Sequence, residues 1–184
     1  MTSTLRATST KSTLRSSMAS KKPLVTFRPT VKEDLECYKE WLMQPGVLEG
    51  FPMSDKREIE DAVRLWHQYL AKGASITALY KKKPVGAANL YVQDVEKLKH
   101  QSLFVILVDE NYRGKGVGTL LLKELQRLAK NKFGISLLHL EVYEKNPAIR
   151  LYERVGFKRY GIHPNYLKDI HGNYYGKVLM QMEL

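Results

Sequence analysis

The stretch of chain from residue 103 to residue 142 restricts the fold more than any other. An apolar run, residues 103–108, leads into a turn carrying Gly114, Gly116 and Gly118. A helical pattern follows over residues 116–132, and then a second apolar run, residues 137–142. Val117, Leu121, Leu125 and Leu128 recur at helical spacing and mark the stripe that faces the core. Strand, helix and strand in this order form a βαβ unit, whose strands lie parallel because parallel neighbours need a crossover of this length.

The chain before this unit has a different grammar. Residues 75–80 and 84–92 read as strands joined by the basic turn Lys81, Lys82 and Lys83, and residues 103–108 follow after the polar stretch 94–101. Strands in succession without a helix between them predict antiparallel pairing. Residues 24–27 read as a short strand. Thr30, three residues before Glu33, has the capping-box pattern, and a helix with Leu35, Tyr38, Trp41 and Leu42 on one face runs to the stop at Pro45 and Gly46. Asp55 with Glu58 opens a second helix, which carries Ile59, Ala62, Val63, Trp66, Tyr69 and Leu70 and ends at Gly73. Trp41 and Trp66 sit on these apolar faces and are assigned to the core. A short helix over 147–155 and strands over 157–166 and 174–184 complete an α/β (α+β) domain with a mixed, mostly antiparallel sheet around the βαβ unit.

Composition narrows the function. With 43% hydrophobic and 27% charged residues, the chain is neither collagenous, coiled-coil nor wholly disordered. Cys37 is the one cysteine, so no internal disulfide and no cysteine-based metal site is available. His67, His100, His139, His163 and His171 lack ligand spacing, and no metal is expected. No stretch approaches the roughly 18 consecutive apolar residues of a membrane-spanning helix, and a cytoplasmic protein is expected. The net charge of +11 attracts anions: nucleic acid, an acidic membrane or a phosphorylated cofactor. Part of it lies in residues 1–22, which are rich in Ser and Thr, carry Arg6, Lys11, Arg15, Lys21 and Lys22, and hold no acid. A disordered basic tail is expected there ahead of a domain spanning 23–184; a transit peptide, a nucleic-acid arm or an extension before a start at Met18 are its alternatives.

The glycine turn carries the clearest chemistry. The first amides of a helix have no internal partners and sit at the positive end of its dipole, so they donate to phosphate oxygens. Gly114, Gly116 and Gly118 clear the approach, while Arg113 and Lys115 add charge; the ligand expected is a pyrophosphate. The spacing is not that of a P-loop, which needs four residues between its first glycine and Gly-Lys-Ser/Thr. Gly114 and Gly116 supply half of a dinucleotide fingerprint, with Glu141 near the position of the ribose-binding acid. Thr119, however, stands at the third glycine, and too little chain follows for further βαβ crossovers.

Arg113, Gly116 and Gly118 make the pattern R-x-x-G-x-G, which resembles the acetyl-CoA loop of the GNAT N-acetyltransferases. The resemblance continues through His139-Leu140-Glu141-Val142, Asn146, Ala148, Leu151-Tyr152 and Val155-Gly156-Phe157, and through the ending Tyr174-Tyr175-Gly176-Lys177-Val178-Leu179-Met180. Its style is that of bacterial Rim-type and small-molecule amine acetyltransferases. It implies the GNAT acyl-CoA N-acyltransferase fold, with splayed strands, acetyl-CoA as co-substrate and an N-acetyltransferase activity.

Residue by residue, the resemblance implies that the strand of Ile106, Leu107 and Val108 bulges and offers its backbone to the pantetheine arm. It implies that Arg113, Gly114, Lys115, Gly116, Val117, Gly118 and Thr119 hold the pyrophosphate. Asn146 resembles the asparagine that contacts the cofactor arm, and equally fits a helix N-cap before Pro147. Tyr152 matches the tyrosine beside the cofactor sulfur, which protonates or stabilises the departing thiolate; its other reading is a packed tyrosine beside Leu151 and Val155. Glu141 resembles the glutamate of the ribosomal-protein N-terminal acetyltransferases and reads either as base or water relay, or as a structural carboxylate paired with a cation. The acceptor implied is a small amine, an amino acid or a protein N-terminus, and homodimers are common in the superfamily. The alternative is a module of the same fold that binds cofactor or nucleic acid without transferase activity. Gly176 and Lys177 stand where many small-molecule members carry an acidic pair, which weakens the case for a cationic acceptor. Tyr143, Asn165, Tyr166, Tyr174 and Tyr175 either line the acceptor cleft or are amphipathic strand residues.

Overall fold

The parallel pair expected of the βαβ unit forms at the middle of a seven-stranded sheet. A computed structural model describes residues 24–184, and the tail assigned to residues 1–22 lies outside the described residues. The elements are β1 (Val25–Pro29), α1 (Asp34–Leu42), α2 (Lys56–Ala71), β2 (Ser75–Tyr80), β3 (Lys83–Tyr91), β4 (Gln101–Val108), α3 (Val117–Phe133), β5 (Leu137–Tyr143), α4 (Ile149–Val155), β6 (Lys158–Lys168) and β7 (Tyr174–Glu183). The sheet order is β1-β2-β3-β4-β5-β7-β6, and every neighbouring pair except β4–β5 is antiparallel.

Alternation along the central strands splits the core between two helical layers. Ala88 and Leu90 of β3, Phe104 of β4, Leu138 and Leu140 of β5 and Met180 of β7 face α3, whose Leu121, Leu122, Leu125 and Ala129 are all buried. Ala87 of β3 and Leu107 of β4 face the other way, onto Leu35, Tyr38, Trp41, Ile59, Val63 and Trp66 of α1 and α2. Both tryptophans are therefore core. Covered on both faces, β3 reads Gly86-Ala87-Ala88, small residues that let its neighbours approach; a Cβ on Gly86 would stand 3.0 Å from the Leu107 carbonyl oxygen.

The two early helices begin differently from one another. At α2 the Asp55 carboxylate accepts the Glu58 amide at 2.9 Å as expected, while the Glu58 carboxylate turns to the Ser54 amide at 2.7 Å. At α1 the Thr30–Glu33 capping box does not form. The Thr30 amide donates to the Ser75 carbonyl, and its hydroxyl is buried within 2.9 Å of Ser75 Oγ, 3.0 Å of Thr77 Oγ1 and 3.2 Å of Tyr38 Oη. Pairing of β1 with β2 carries Thr30 inward, and Asp34 opens the helix instead. Its carboxylate accepts the Val31 amide at 3.0 Å, the Thr77 hydroxyl at 2.8 Å and the Arg28 guanidinium at 2.6 and 2.8 Å.

Candidate active site

β4 and β5 pair only at Gln101–Leu137, Ser102–Leu138 and Leu103–His139. Beyond these, β4 stays in register with β3 as far as Val108, and β5 stays with β7 as far as Tyr143, so the two strands separate into a wedge. Ile106, Leu107 and Val108 lie in the unpaired length, with one backbone edge open. The expected bulge in β4 is absent: its register with β3 runs unbroken from Leu103 to Val108. The splay arises because each strand follows its outer neighbour, not because β4 is kinked.

The glycine turn stands at the mouth of this wedge and ends in α3. Gly114 (φ +69°) and Gly116 (φ +86°) adopt left-handed conformations that side chains disfavour, and nothing crowds the space beside them. The first helical bond runs from the Leu120 amide to the Gly116 carbonyl, which leaves the amides of Val117, Gly118 and Thr119 to point out of the helix end. Gly118 serves packing as well, because a Cβ there would meet Leu151 of α4 at 3.0 Å. Arg113 Nε donates to the Val108 carbonyl at 3.0 Å and Lys115 Nζ to the Asn111 carbonyl at 2.7 Å, so both cations are held over the turn.

Gln44, just after α1, had no signal in the sequence. Its Nε2 donates to Asp109 at 3.0 Å and its Oε1 accepts the Glu110 amide at 2.9 Å, tying the entry of the turn to the opposite helical layer.

Tyr152 lies on the α3 side of the wedge. Its ring packs on Phe104, the first β4 residue past the paired segment, and on Phe157, at centroid distances of 6.1 and 6.0 Å. Burial alone pushes its hydroxyl far above the ordinary phenol value, so it stays protonated throughout the neutral range and can donate a hydrogen bond. Asn146 makes the capping contact: its Oδ1 accepts the Ala148 amide at 2.8 Å across Pro147, and its carbonyl accepts the Ile149 amide at 3.2 Å, just ahead of α4. Its amide nitrogen lies against Gly50 of the α1–α2 connection.

Glu141 faces the other way. It alternates with Leu140 and Val142, which are buried beneath α3, so Glu141, His139 and Tyr143 share the α1–α2 face. The Glu141 carboxylate accepts Lys177 Nζ at 2.7 Å; the Glu141 side chain is 44% exposed and that of Lys177 only 10%. The structural reading of Glu141, a carboxylate paired with a cation, is thus what the contacts show. Lys177 Nζ also stands 3.5 Å from the Tyr166 ring centroid, because β6 breaks register between His163 and Leu167 with Asn165 at φ +52°. His139 Nε2 bonds Gln101, and burial lowers its pKa. Tyr174 is exposed, whereas the Tyr175 hydroxyl donates to Asp169 at 3.0 Å.

Tyr152 and Glu141 therefore lie on opposite faces of the sheet, and the wedge is the opening between them. A cavity of about 370 Å³, lined by Lys72, Val92, Asp94, Lys99, Phe133 and Ile135, lies by the C-terminus of α3, away from this chemistry. Among the described residues no group of three His, Cys, Asp or Glu side chains could hold a metal ion.

Known proteins share this arrangement. The acetyltransferase (GNAT) family matches residues 34–157. The [ribosomal protein bS18]-alanine N-acetyltransferase of Haemophilus influenzae is 40% identical over 83 residues, 45% of this chain and 56% of that protein. The L-amino acid N-acetyltransferase AaaT of Escherichia coli is 28% identical over 106 residues, 55% of this chain and 65% of that one. The chain spans about half the length of the first curated relatives it matches. A phosphinothricin acetyltransferase of Sinorhizobium meliloti, solved in complex with AcCoA, superimposes with a TM-score of 0.72 at 23% identity, covering 87% of this chain and 88% of that one. With the family matched across most of its length and the splayed α/β sheet in place, this chain belongs to the acetyltransferase (GNAT) family.

Proposed function

We propose that the protein moves the acetyl group of acetyl-CoA directly onto a primary amine. The observation that carries this reading is the unpaired edge of β4 lying beside a helix start whose amides are uncovered by glycine. A pantetheine arm can extend a sheet along such an edge, and a diphosphate suits such a helix end. The Haemophilus relative is named for acetylating the alanine of a ribosomal protein and the E. coli one for L-amino acids, which supports an amine acceptor.

In this reading the amides of Val117, Gly118 and Thr119, with Gly114, Gly116, Arg113 and Lys115, bind the diphosphate. Of the unpaired stretch Ile106, Leu107 and Val108, the backbone of Ile106 and the Val108 amide face the open edge and hold the arm, Leu107 being paired to Ala87 of β3 and the Val108 carbonyl to Arg113, and Asn146 flanks it. The acceptor arrives on the α1–α2 face. Its nitrogen attacks the thioester carbonyl, the C–S bond breaks, and the Tyr152 hydroxyl donates a hydrogen bond to the departing thiolate, which takes up the proton that the amine loses by way of water beside Glu141. Because the attacking amine must be neutral, the α-amine of a peptide N-terminus costs about 1 kcal/mol at pH 7 and a lysine amine about 4 to 5 kcal/mol.

Thiol release from acetyl-CoA against amino acids, polyamines, aminoglycosides and N-terminal peptides tests the proposal. Release that depends on one class of amine supports it. Tight acetyl-CoA binding without release from any amine overturns it in favour of a binding module.

A further inference from the structure

We infer that the acceptor is an amino acid with a free carboxylate beside its amine, and that Lys177 binds that carboxylate; this rests on the transferase reading above. The ammonium of Lys177 has three N–H donors. One goes to Glu141 at 2.7 Å and a second is directed at Tyr166, whose ring centroid lies 3.5 Å away. No further protein acceptor for Lys177 Nζ is found among the described residues. Burial opposes the charge on this lysine, but the bonds to Glu141 and Tyr166 outweigh it and raise its pKa, so the cation is permanent at neutral pH.

Placement gives this cation its consequence. Lys177 pairs with Tyr143 across β5 and β7, on the face that carries Glu141 and two residues along from it. A carboxylate can therefore meet the remaining donor of Lys177 while the adjacent amine lies towards Glu141 and the wedge. Other charges nearby are already engaged: the Glu144 carboxylate accepts the Gly176 amide at 2.9 Å, and Lys145 stands over the Tyr175 ring. A polyamine would place its second cation against Lys177, and a peptide N-terminus has no carboxylate beside its amine. The zwitterion of a free amino acid complements the Glu141–Lys177 pair at both ends.

The experiment compares each α-amino acid with its α-carboxamide by thiol release from acetyl-CoA, in the intact protein and in Lys177→Met. The amide is intrinsically the more easily deprotonated amine, so without carboxylate recognition it is the better acceptor. For the intact protein, kcat/KM is expected to favour the acid by about tenfold or more, the worth of one charge-assisted hydrogen bond. In Lys177→Met this preference is lost or reversed towards the amide, through KM rather than kcat. Equal or better use of the amide by the intact protein overturns the inference without needing the variant, as does an unchanged preference in Lys177→Met. Absence of release from every amine overturns the transferase reading and this inference together, whereas release from amides and acids alike overturns this inference alone.

Discussion

The two faces of the wedge are built from different materials. On the α3 face the proposed donor site is backbone: an open strand edge, a helix end and glycines that clear the approach. On the α1–α2 face it is side chains, Glu141, Lys177 and Tyr166, brought together from three strands by a long-range pairing and a bulge. Backbone sites recognise what all donors share, a diphosphate and an amide-bearing arm. Side-chain sites can be exchanged without disturbing the fold, and they are where acceptor choice is written.

The comparison makes its largest demand on Tyr152, the one side chain that the donor face contributes to chemistry. Tyr152→Phe is expected to lower kcat about a hundredfold while leaving the acetyl-CoA Kd within about twofold, by steady-state kinetics and calorimetry. An equal loss of affinity would make the tyrosine a packing residue. Gly116→Val forces a β-branched residue to φ +86°, at a cost of about 1 to 3 kcal/mol, and should weaken acetyl-CoA about tenfold or more without a matching change in the acid-to-amide preference. A change in that preference would join the two faces that are separated here. Gln44→Ala removes the clamp on Asp109 and Glu110 and should weaken acetyl-CoA about fivefold, the worth of roughly one hydrogen bond.

Acid should reach the scaffold through Asp34. Burial alone would raise the Asp34 pKa, but bonds from Arg28, the Val31 amide and Thr77 outweigh it and hold the carboxyl below its ordinary value. A carboxyl depressed in the fold stabilises the protein above its unfolded pKa of about 3.9 and loses that contribution as pH falls through the folded value. Melting temperature should therefore decline below about pH 4, and in Asp34→Asn it should start lower and fall less steeply. The smallest effect belongs to the β6–β7 turn. There Asp169 is held at about 2, chiefly by the Asn173 side chain and also by the Asn173 and His171 amides and the Tyr175 hydroxyl, so hairpin NMR shifts should hold until near that pH.

Residues 103–142 were legible in the sequence because glycine spacing and apolar periodicity act locally. Strand, turn and helix follow from neighbours along the chain, and the parallel pair follows from crossover length. Thr30 misled for the opposite reason: its capping pattern is local, but pairing of β1 with β2 turns its hydroxyl into a buried cluster with Ser75, Thr77 and Tyr38. The β4 bulge was expected from resemblance, whereas the observed splay needs only β3 and β7 to hold their partners. Asn146 with Pro147 was legible as a helix start because capping acts between near neighbours, and its Oδ1 does accept the Ala148 amide. Gln44 and the Lys177–Tyr166 contact were illegible because each joins residues far apart or across a bulge, and no spacing rule records such meetings. Lys177 itself was visible as a departure from the family pattern; that Glu141 is its partner was not.

Donor binding as proposed requires the amides that open α3 to grip the diphosphate. Calorimetry of the protein and of Gly116→Val with acetyl-CoA and with S-acetylpantetheine, which keeps the arm and thioester but lacks the diphosphate and the 3′-phosphoadenosine, measures this, since only the intact turn should show the difference. Acetyl-CoA is expected to bind at least about a hundredfold more tightly, a difference of about 2.7 kcal/mol. Equal affinity for the two would contradict it.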